Sequence, residues 1–264
     1  MIKGILGKDN KTVKFIKSLQ TSKGRKKGGC FFAEGERAVS DSVATAAERV
    51  RYIVFSETYK DEKNDFAEEL EKKYSCFFVP DKVFCQLCET ETPQGILAVF
   101  EIPEEKDFDF KNDVLVLDSV ADPGNMGTII RTAEAMGFFD IVLLGSCADV
   151  YSPKVVRSTM GAVLRTRFLK GSKEDLDNLK SKGYKLYSTA LCENSLTPEN
   201  VPVAEKRALI IGNEANGISK EVLEISDYFV KIPMHGKIES LNAAVAAAIV
   251  MYNFSLKRKS ERAV

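Results

Sequence analysis

Near-continuous apolar runs in the second half of the chain constrain its fold more than any other feature. Four of them, DVLVLDSV, DIVLLG, ALIIG and YFVKIP, begin at residues 113, 140, 208 and 228 and lack the apolar–polar alternation of half-exposed strands. Strands of this kind are buried on both faces, as in a parallel sheet that helices cover on either side. Helical patterns separate the runs. The sequence therefore predicts an α/β fold with a mostly parallel sheet.

A charged stretch that contains proline, IPEEKDFDFKN, divides the chain. Before it, alternating strand and helix patterns make a smaller α/β unit of about 100 residues, near the usual size of a domain. After it comes the series with the apolar strands. The sequence predicts an N-terminal domain over residues 1–102, a linker over 103–112 and a second α/β domain over 113–264.

Composition places the 264-residue chain among globular proteins, with 44% hydrophobic and 29% charged residues. No apolar run approaches the roughly 20 residues that cross a bilayer, and the N-terminus lacks the core of a secretory signal. We therefore expect a cytoplasmic protein without membrane contact. The single C-x-x-C, Cys85 and Cys88, has no second pair or histidines at zinc-ligand spacing. We expect no metal and buried free thiols, with a redox pair as the alternative.

Positive charge is concentrated at the N-terminus, although the formal net charge of the chain is zero. Lysine and arginine dominate residues 1–29, where Asp9 is the only acid. Asn10 is a plausible N-cap for a helix, after which TSKGRKKGG predicts a flexible basic loop. This charge favours contact with a polyanion, and a solvated basic arm is the alternative.

Polar clusters follow three strands of the second domain, where open α/β sheets bind their ligands. The first, DSVADPGNMGTIIR, offers Asn125 as a helix cap and places Arg131 off the apolar stripe. The second is LIIGNEANGIS, and the third, IPMHGKIESLN, leads into a helix expected over residues 240–257. No G-x-G-x-x-G or P-loop motif is present, so the usual nucleotide fingerprints are absent. Turns and caps explain each loop alone, but the three together indicate a site.

These loops carry three motifs that resemble the SpoU (TrmH-type) RNA 2′-O-methyltransferases of the SPOUT superfamily. D-P-x-N-x-G-x-I-x-R begins at Asp122, I-G-N-E-x-x-G at Ile211 and I-P-M-x-G-x-x-E-S-L-N at Ile232. FFAEGERAV and TPQGILAVF resemble the ribosomal-protein-like substrate-binding domain of many members. The resemblance covers nearly the whole chain. It implies a deep trefoil knot in the C-terminal domain, S-adenosylmethionine as the cofactor and a homodimer.

The resemblance also assigns roles to residues. It implies catalytic roles for Asn125, Arg131, Glu214, Ser240 and Asn242. Cofactor-binding roles fall on Leu191, Gly212, Asn213, Ile232, Met234, Ser240 and Leu241. With the basic N-terminus, it predicts RNA contacts for Lys11, Lys14, Lys17, Arg25, Lys26, Lys27 and Arg131. A guanidinium stays protonated and makes a poor base, so we expect Arg131 to act as a phosphate clamp. His235 falls at a variable motif position, and we expect no catalytic role for it.

Large-subunit ribosomal RNA is the expected substrate. Family members that modify it often carry the N-terminal domain, which tRNA-modifying members often lack. A tRNA 2′-O-methyltransferase, a base methyltransferase and a non-catalytic RNA-binding assembly protein are the alternatives. The intact catalytic set argues against the non-catalytic protein, and the E-S-L-N form of the third motif favours ribose over base.

Overall fold

A computed structural model describes residues 3–62, 64–104, 113–238 and 240–261. The chain forms two compact units, one of Met1–Glu104 with Asp149–Leu164 and the other of Glu105–Ala148 with Arg165–Val264. Most of the predicted linker lies outside the described residues, and the predicted domain boundaries stay a prediction. No helix in the described part of the chain is long and apolar enough to cross a membrane.

The first unit is built on a mixed five-stranded sheet of order β1-β4-β3-β5-β2. Its strands are β1 (Lys3–Ile5), β2 (Cys30–Glu34), β3 (Val50–Ser56), β4 (Cys76–Val79) and β5 (Ile96–Glu101). β5 runs antiparallel to β2 and β3, while β4 is parallel to β1 and β3. Its helices are α1 (Lys11–Ser18), α2 (Ser22–Gly28), α3 (Glu36–Thr45), α4 (Glu57–Glu62), α5 (Asn64–Lys73), α6 (Asp81–Phe84) and α8 (Pro153–Thr159), with 3-10 turns at Ala47–Arg49 and Ala162–Leu164.

Helix α2 replaces the predicted flexible loop, and its end groups explain why. Thr21 Oγ1 accepts a hydrogen bond from the backbone N–H three residues on, at 3.1 Å. Gly29 ends the helix in the left-handed conformation, with φ 60°. Both caps satisfy backbone groups that a helix end leaves unpaired. The predicted cap of α1 is confirmed, since Asn10 accepts from Thr12 N at 2.8 Å.

Arg25, predicted to bind RNA, is buried in this region and only 4% exposed. Its Nη2 and Nε donate to Asp149 Oδ2 at 2.6 and 3.1 Å. Its Nη1 donates to the carbonyl oxygens of Leu19 and Gln20. A phosphate would have to displace Asp149 from a buried guanidinium, so this position corrects the expectation for Arg25. The neighbouring lysines are exposed: Lys11, Lys14, Lys17, Lys23, Lys26 and Lys27.

The second unit is a six-stranded sheet of order β11-β9-β10-β6-β7-β8, in which all strand pairs are parallel. Its strands are β6 (Val114–Asp118), β7 (Asp140–Leu144), β8 (Arg167–Lys170), β9 (Lys185–Thr189), β10 (Arg207–Ile211) and β11 (Tyr228–Val230). Its helices are α7 (Pro123–Met136), α9 (Lys173–Ser181), α10 (Lys220–Ile225) and α11 (Ala243–Glu261).

Helices bury both faces of this sheet, as the apolar runs predict. Val116 and Ile210 belong to a core that includes Leu176 of α9 and Val222 of α10. On β9, the ring of Tyr187 meets that of Phe254 of α11 edge-on, with centroids 5.0 Å apart. The buried Arg207 at the start of β10 makes a second contact between the sheet and α11, because its Nη1 donates a hydrogen bond to the carbonyl of Phe254. The predicted α/β class with a parallel sheet is confirmed.

Candidate active site

The strand order of the second unit reverses between β6 and β10. From β6 the chain moves outward to β7 and β8, and it then fills the opposite side with β9, β10 and β11. Open α/β sheets bind ligands beyond the carboxyl ends of their strands at such a point. The three predicted polar loops follow β6, β10 and β11, and a fourth loop follows β9. The topology therefore gathers four chain segments at one edge.

Asp122, rather than the predicted Asn125, caps helix α7. Asp122 Oδ1 accepts from Asn125 N at 2.8 Å, and Pro123 follows in the first turn, where its fixed φ suits a helix. The carboxylate also lies at the positive end of the helix. Because Asp122 satisfies the backbone, the side-chain amide of Asn125 is available for other contacts.

Asn125 joins the three motif loops through its side chain. Its Nδ2 donates to Glu214 Oε1 at 2.8 Å, and its Oδ1 accepts from Asn242 Nδ2 at 2.8 Å. Asn242 also begins helix α11, since its Oδ1 accepts from the N–H groups of Ala244 and Val245 at 2.9 and 3.3 Å. One amide of Asn242 thus caps a helix and holds the first motif.

Asn213 fixes the loop that carries Glu214. Its Oδ1 accepts from the N–H groups of Ala215 and Asn216 at 2.9 and 3.0 Å, so the side chain shapes a tight turn. Its Nδ2 donates to the carbonyl of Ser119 at 2.8 Å and lies 3.5 Å from Glu214 Oε2. The loop after β10 is therefore bonded to the loop after β6 through Asn213 and Ser119.

The turn after β10 requires glycine at position 212, because the backbone of Gly217 and Ile218 passes close to it. Asn213 and Gly217 exchange backbone hydrogen bonds of 2.8 and 3.0 Å across the turn. A Cβ atom on Gly212 would lie 2.4 Å from the carbonyl carbon of Gly217 and 2.5 Å from Ile218 N. Backbone atoms cannot yield as a flexible side chain can, so a larger residue at 212 would open the loop.

Asp118 and Ser119 belong to the site, although neither is a predicted site residue. Asp118 is buried; its Oδ2 accepts from Ser219 N at 2.8 Å and its Oδ1 from Ser119 Oγ at 3.2 Å. Ser119 has φ 58°, a conformation that a residue with a side chain rarely adopts. A carboxylate directly after an apolar strand was an available signal for Asp118. The sequence holds no signal for the backbone of Ser119.

Two predicted catalytic residues stand apart from this network. Arg131 and Ser240 are exposed, and neither makes a hydrogen bond or ion pair with any residue that the structure describes. Glu239, which precedes Ser240, lies outside the described residues. The structure therefore brings together Asn125, Glu214 and Asn242, and leaves Arg131 and Ser240 open to a ligand.

The loops after β9 and β11 fit an adenosyl group. Leu191, Met234 and Ile238 are apolar but 73%, 36% and 69% exposed, beyond the carboxyl ends of these paired strands. The backbone of residues 232–238 makes no hydrogen bond with the described residues, so its N–H and C=O groups are available. An adenine ring offers an apolar face and a hydrogen-bonding edge. The groups present therefore suit the expected cofactor, S-adenosylmethionine.

The residues that the structure describes offer a metal no comparable set of donors. Among the described residues, no three or more His, Cys, Asp or Glu side chains are grouped so that they could hold a metal ion. All six cysteines are free, and Cys85 of the C-x-x-C pair is exposed rather than buried. Burial raises the pKa of the Cys88 thiol.

Two family profiles match the chain. The SpoU rRNA Methylase family matches residues 112–252, and the MRM3-like substrate binding domain matches residues 10–98. The first match spans more than half of the chain and contains every residue of the network around Asn125. The chain belongs to the SpoU rRNA methylase family, which confirms the predicted family.

Individual relatives agree over nearly the full length. The chain is 38% identical, over 96% of its length and 99% of the relative's, to the 23S rRNA (guanosine(2553)-2'-O)-methyltransferase RlmP of Bacillus subtilis. The AdoMet-bound rRNA methyltransferase from Sinorhizobium meliloti matches with a TM-score of 0.85 and 27% identity, over 97% and 98% of the two chains. The SpoU methyltransferase AviRb from Streptomyces viridochromogenes, solved with AdoMet, matches with a TM-score of 0.83 and 28% identity, over 95% and 99%. The predicted enzyme class and cofactor, an RNA methyltransferase that uses S-adenosylmethionine, are confirmed.

Proposed function

We propose that the chain methylates the ribose 2′-hydroxyl of a guanosine in large-subunit ribosomal RNA. The observation that carries the proposal is the bonding of all three motif loops through Asn125 at the carboxyl edge of the sheet. The relative RlmP supports the choice of substrate, and so does the substrate-binding domain matched at residues 10–98. The enzyme would meet this RNA in the cytoplasm.

The residues after the strand ends would hold the cofactor. When bound, S-adenosylmethionine supplies a methyl group that its sulfonium already activates for transfer. The protein's task is then to position the ribose hydroxyl and let its proton leave. The backbone of Ile232 and Met234, which bonds to no described residue, and the exposed side chain of Leu191 suit the adenosine. The proposed cofactor-binding set is Leu191, Gly212, Asn213, Ile232, Met234, Ser240 and Leu241.

Arg131 would clamp a phosphate of the RNA next to the reacting ribose. Its guanidinium is exposed and has no partner among the described residues. Arginine side chains carry a permanent positive charge in proteins and make poor bases. Arg131 therefore cannot take the hydroxyl proton. Its five N–H donors suit a phosphate, and its charge stabilises the alkoxide that forms as the proton leaves to a phosphate oxygen or water.

Glu214 and the two asparagines would position the ribose rather than exchange protons. Glu214 Oε1 accepts from Asn125 at 2.8 Å, and its Oε2 faces Asn213 Nδ2 at 3.5 Å, so both oxygens are engaged. Amide side chains neither gain nor lose protons near neutral pH. The hydroxyl of Ser240 makes no bond with a described residue and is available to the ribose or the cofactor.

RNA backbone would be held by the exposed lysines of the first unit. Lys11, Lys14 and Lys17 recur every three residues on α1, and Lys26 and Lys27 end α2. Such contacts supply affinity that falls with salt, and they carry little sequence choice.

A homodimer would be formed through α11. One face of α11 carries three apolar residues, because Tyr252 and Leu256 follow Val245 by 7 and 11 positions, close to two and three full turns of the helix. Val245, Tyr252 and Leu256 are 48%, 52% and 48% exposed. An apolar stripe of this kind on a soluble enzyme marks an association surface. A two-fold axis would place the same stripe of a second copy against it.

The reaction is tested by methyl transfer from radiolabelled S-adenosylmethionine to unmodified 23S rRNA and, separately, to tRNA. A 2′-O-methyl group blocks alkaline cleavage at its own phosphodiester, so label is expected in alkali-resistant dinucleotides from 23S rRNA alone. Arg131→Ala should lose this label and still bind S-adenosylmethionine in calorimetry. Label in mononucleotides would mean base methylation, and label from tRNA would overturn the substrate. Full activity of Arg131→Lys would contradict the phosphate clamp, because a lysine cannot bind a phosphate through two parallel N–H donors as a guanidinium does.

A further inference from the structure

A cavity of about 380 Å³ opens in the first unit at the carboxyl ends of β3 and β4. It is lined by the end of β3, helices α4 and α6 and the loop before β5, and none of the proposed active-site residues lines it. We propose that this cavity binds an unpaired nucleobase of the substrate RNA, specifically a base that carries an exocyclic amine. The inference rests on the proposed function, because it presumes an RNA substrate.

The cavity has a rigid apolar wall. The rings of Phe84 and Tyr59, which line it, are 1% and 5% exposed. Tyr59 is fixed on two sides, since its ring stacks on Phe55 with centroids 5.9 Å apart and its hydroxyl donates to Glu36 Oε2 at 3.2 Å. These buried residues give the cavity a fixed floor, and the polar groups that a splayed base would meet, Gln94 and Glu62, are exposed.

Gln94 supplies oriented donors at the cavity. Its Oε1 accepts from the backbone N–H of Glu36 at 2.9 Å, which fixes the amide plane. Its Nε2 has no hydrogen-bond partner among the residues that the structure describes, so two N–H groups are available to a ligand. A base carbonyl or ring nitrogen is the matching acceptor.

Two carboxylates supply the acceptors. Glu62 is exposed, and no described residue bonds or pairs with it. Asp81 is partly engaged, because Thr58 donates to it through its hydroxyl at 2.7 Å and its N–H at 3.3 Å. The hydrogen bond from the Thr58 hydroxyl lowers the pKa of Asp81.

The charge of this lining selects a base edge over a phosphate. Two carboxylates repel the RNA backbone, whereas they accept hydrogen bonds from the amines of guanine, cytosine or adenine. Uracil has no exocyclic amine, and its single donor, the ring N3–H, lies between two carbonyl oxygens that the carboxylates would repel, so it would gain less from them. The exposed lysines of α1 and α2 would hold phosphates, so affinity and base choice would come from different parts of the first unit.

The close fit of the loop before β5 keeps the cavity open. Gly95 has φ 86°, and a Cβ atom there would lie 2.6 Å from Tyr59 Cβ and 2.7 Å from Ser56 Oγ. A side chain at 95 would therefore push into the residues that form the wall. The glycine holds the loop against β3 without filling the space beside Gln94.

The test is fluorescence anisotropy of the full-length protein with labelled hexanucleotides (rA6, rC6, r(GU)3 and rU6). We expect at least one amine-bearing sequence to bind about tenfold or more tighter than rU6. Glu62→Gln removes one of the two charged acceptors, the one that Thr58 does not engage, and Gln94→Glu removes the donors while it keeps an oxygen for Glu36 N. Both variants should bring the tighter sequence to the affinity of rU6. Glu68→Gln, the same change on an exposed residue of α5 outside the cavity, should leave the preference unchanged.

Equal binding of all four hexanucleotides by the wild-type protein, or no binding of any, would overturn the base pocket. So would a preference that survives in both cavity variants. The proposed function has its own readout in methyl transfer to 23S rRNA. A wild-type protein that methylates this RNA without base preference refutes the pocket alone, and one that shows base preference without methyl transfer refutes the reaction alone.

Discussion

Asn242 Nδ2 donates to Asn125 Oδ1 over 2.8 Å and joins two residues 117 positions apart in the chain. The Oδ1 atom of the same Asn242 side chain accepts from the N–H of Ala244 at 2.9 Å and so caps α11. The Nδ2 donor of Asn242 bonds to Asn125, and its Oδ1 acceptor caps α11, so a substitution that changes only one of these atoms can separate the two roles.

Asn242→Asp should keep the helix cap and lose the reaction. Its carboxylate still accepts from the helix N–H groups, where negative charge is favourable, but it cannot donate to Asn125. Thermal unfolding should match that of the wild type, while methyl transfer falls about as far as in Asn242→Ala. Asn242→Ala should also cost about 1 kcal/mol of stability through the lost cap. Undiminished methyl transfer by Asn242→Asp would show that the bond to Asn125 is dispensable.

Gly212→Ala should destabilise the second unit by about 2 kcal/mol, because its Cβ would meet backbone atoms at 2.4–2.5 Å. We also expect weaker S-adenosylmethionine binding in calorimetry. Gly236→Ala is the matched control, since it lies in another motif loop and its Cβ would meet no atom within 4 Å. Equal denaturation midpoints for the two variants would refute the steric requirement at 212.

Lys17→Ala and Arg25→Ala should fail in different ways. Lys17 is exposed, so its loss should weaken rRNA binding uniformly and reduce the slope of log K against log salt by about 1. Loss of the buried Arg25 leaves Asp149 Oδ2 and the carbonyl of Leu19 without the guanidinium that donates to them, at a cost of about 1–3 kcal/mol. Urea unfolding separates the two cases. If Arg25→Ala changed the salt dependence of rRNA binding and kept wild-type stability, Arg25 would have to contact RNA.

Leu256→Glu should dissociate the proposed homodimer. The substitution places a charge in the exposed apolar stripe of α11, where a second copy would bury it without a partner. Sedimentation velocity should show the mass of a dimer for the wild type and of a monomer for the variant. Glu221→Arg, an exposed change on α10, should remain dimeric. A wild-type protein that sediments as a monomer at every concentration contradicts the proposal.

β6, β7 and β10 were predictable from sequence because burial on both faces leaves a continuous apolar run. Helix caps were predictable only in part. Asn10 was identified, whereas Asp122 was missed because Asn125 stood at an equally plausible position. The approach of Asn125, Glu214 and Asn242 could not be read from spacing, since it follows from the order of strands in the sheet. The catalytic roles of these three residues were predicted only from the family resemblance. The knot that the same resemblance implies stays a prediction.

The position of β10 in the sheet has a consequence for folding of the chain during its synthesis. β10 lies between β6 and β9, yet the ribosome makes β6, β7, β8 and β9 before it. Until residue 211 leaves the exit tunnel, the facing edges of β6 and β9 have no strand to pair with. Unpaired edges of this kind invite aggregation, and long-range parallel pairing is slow. Translation speed and chaperone supply would therefore affect the yield of the folded second unit.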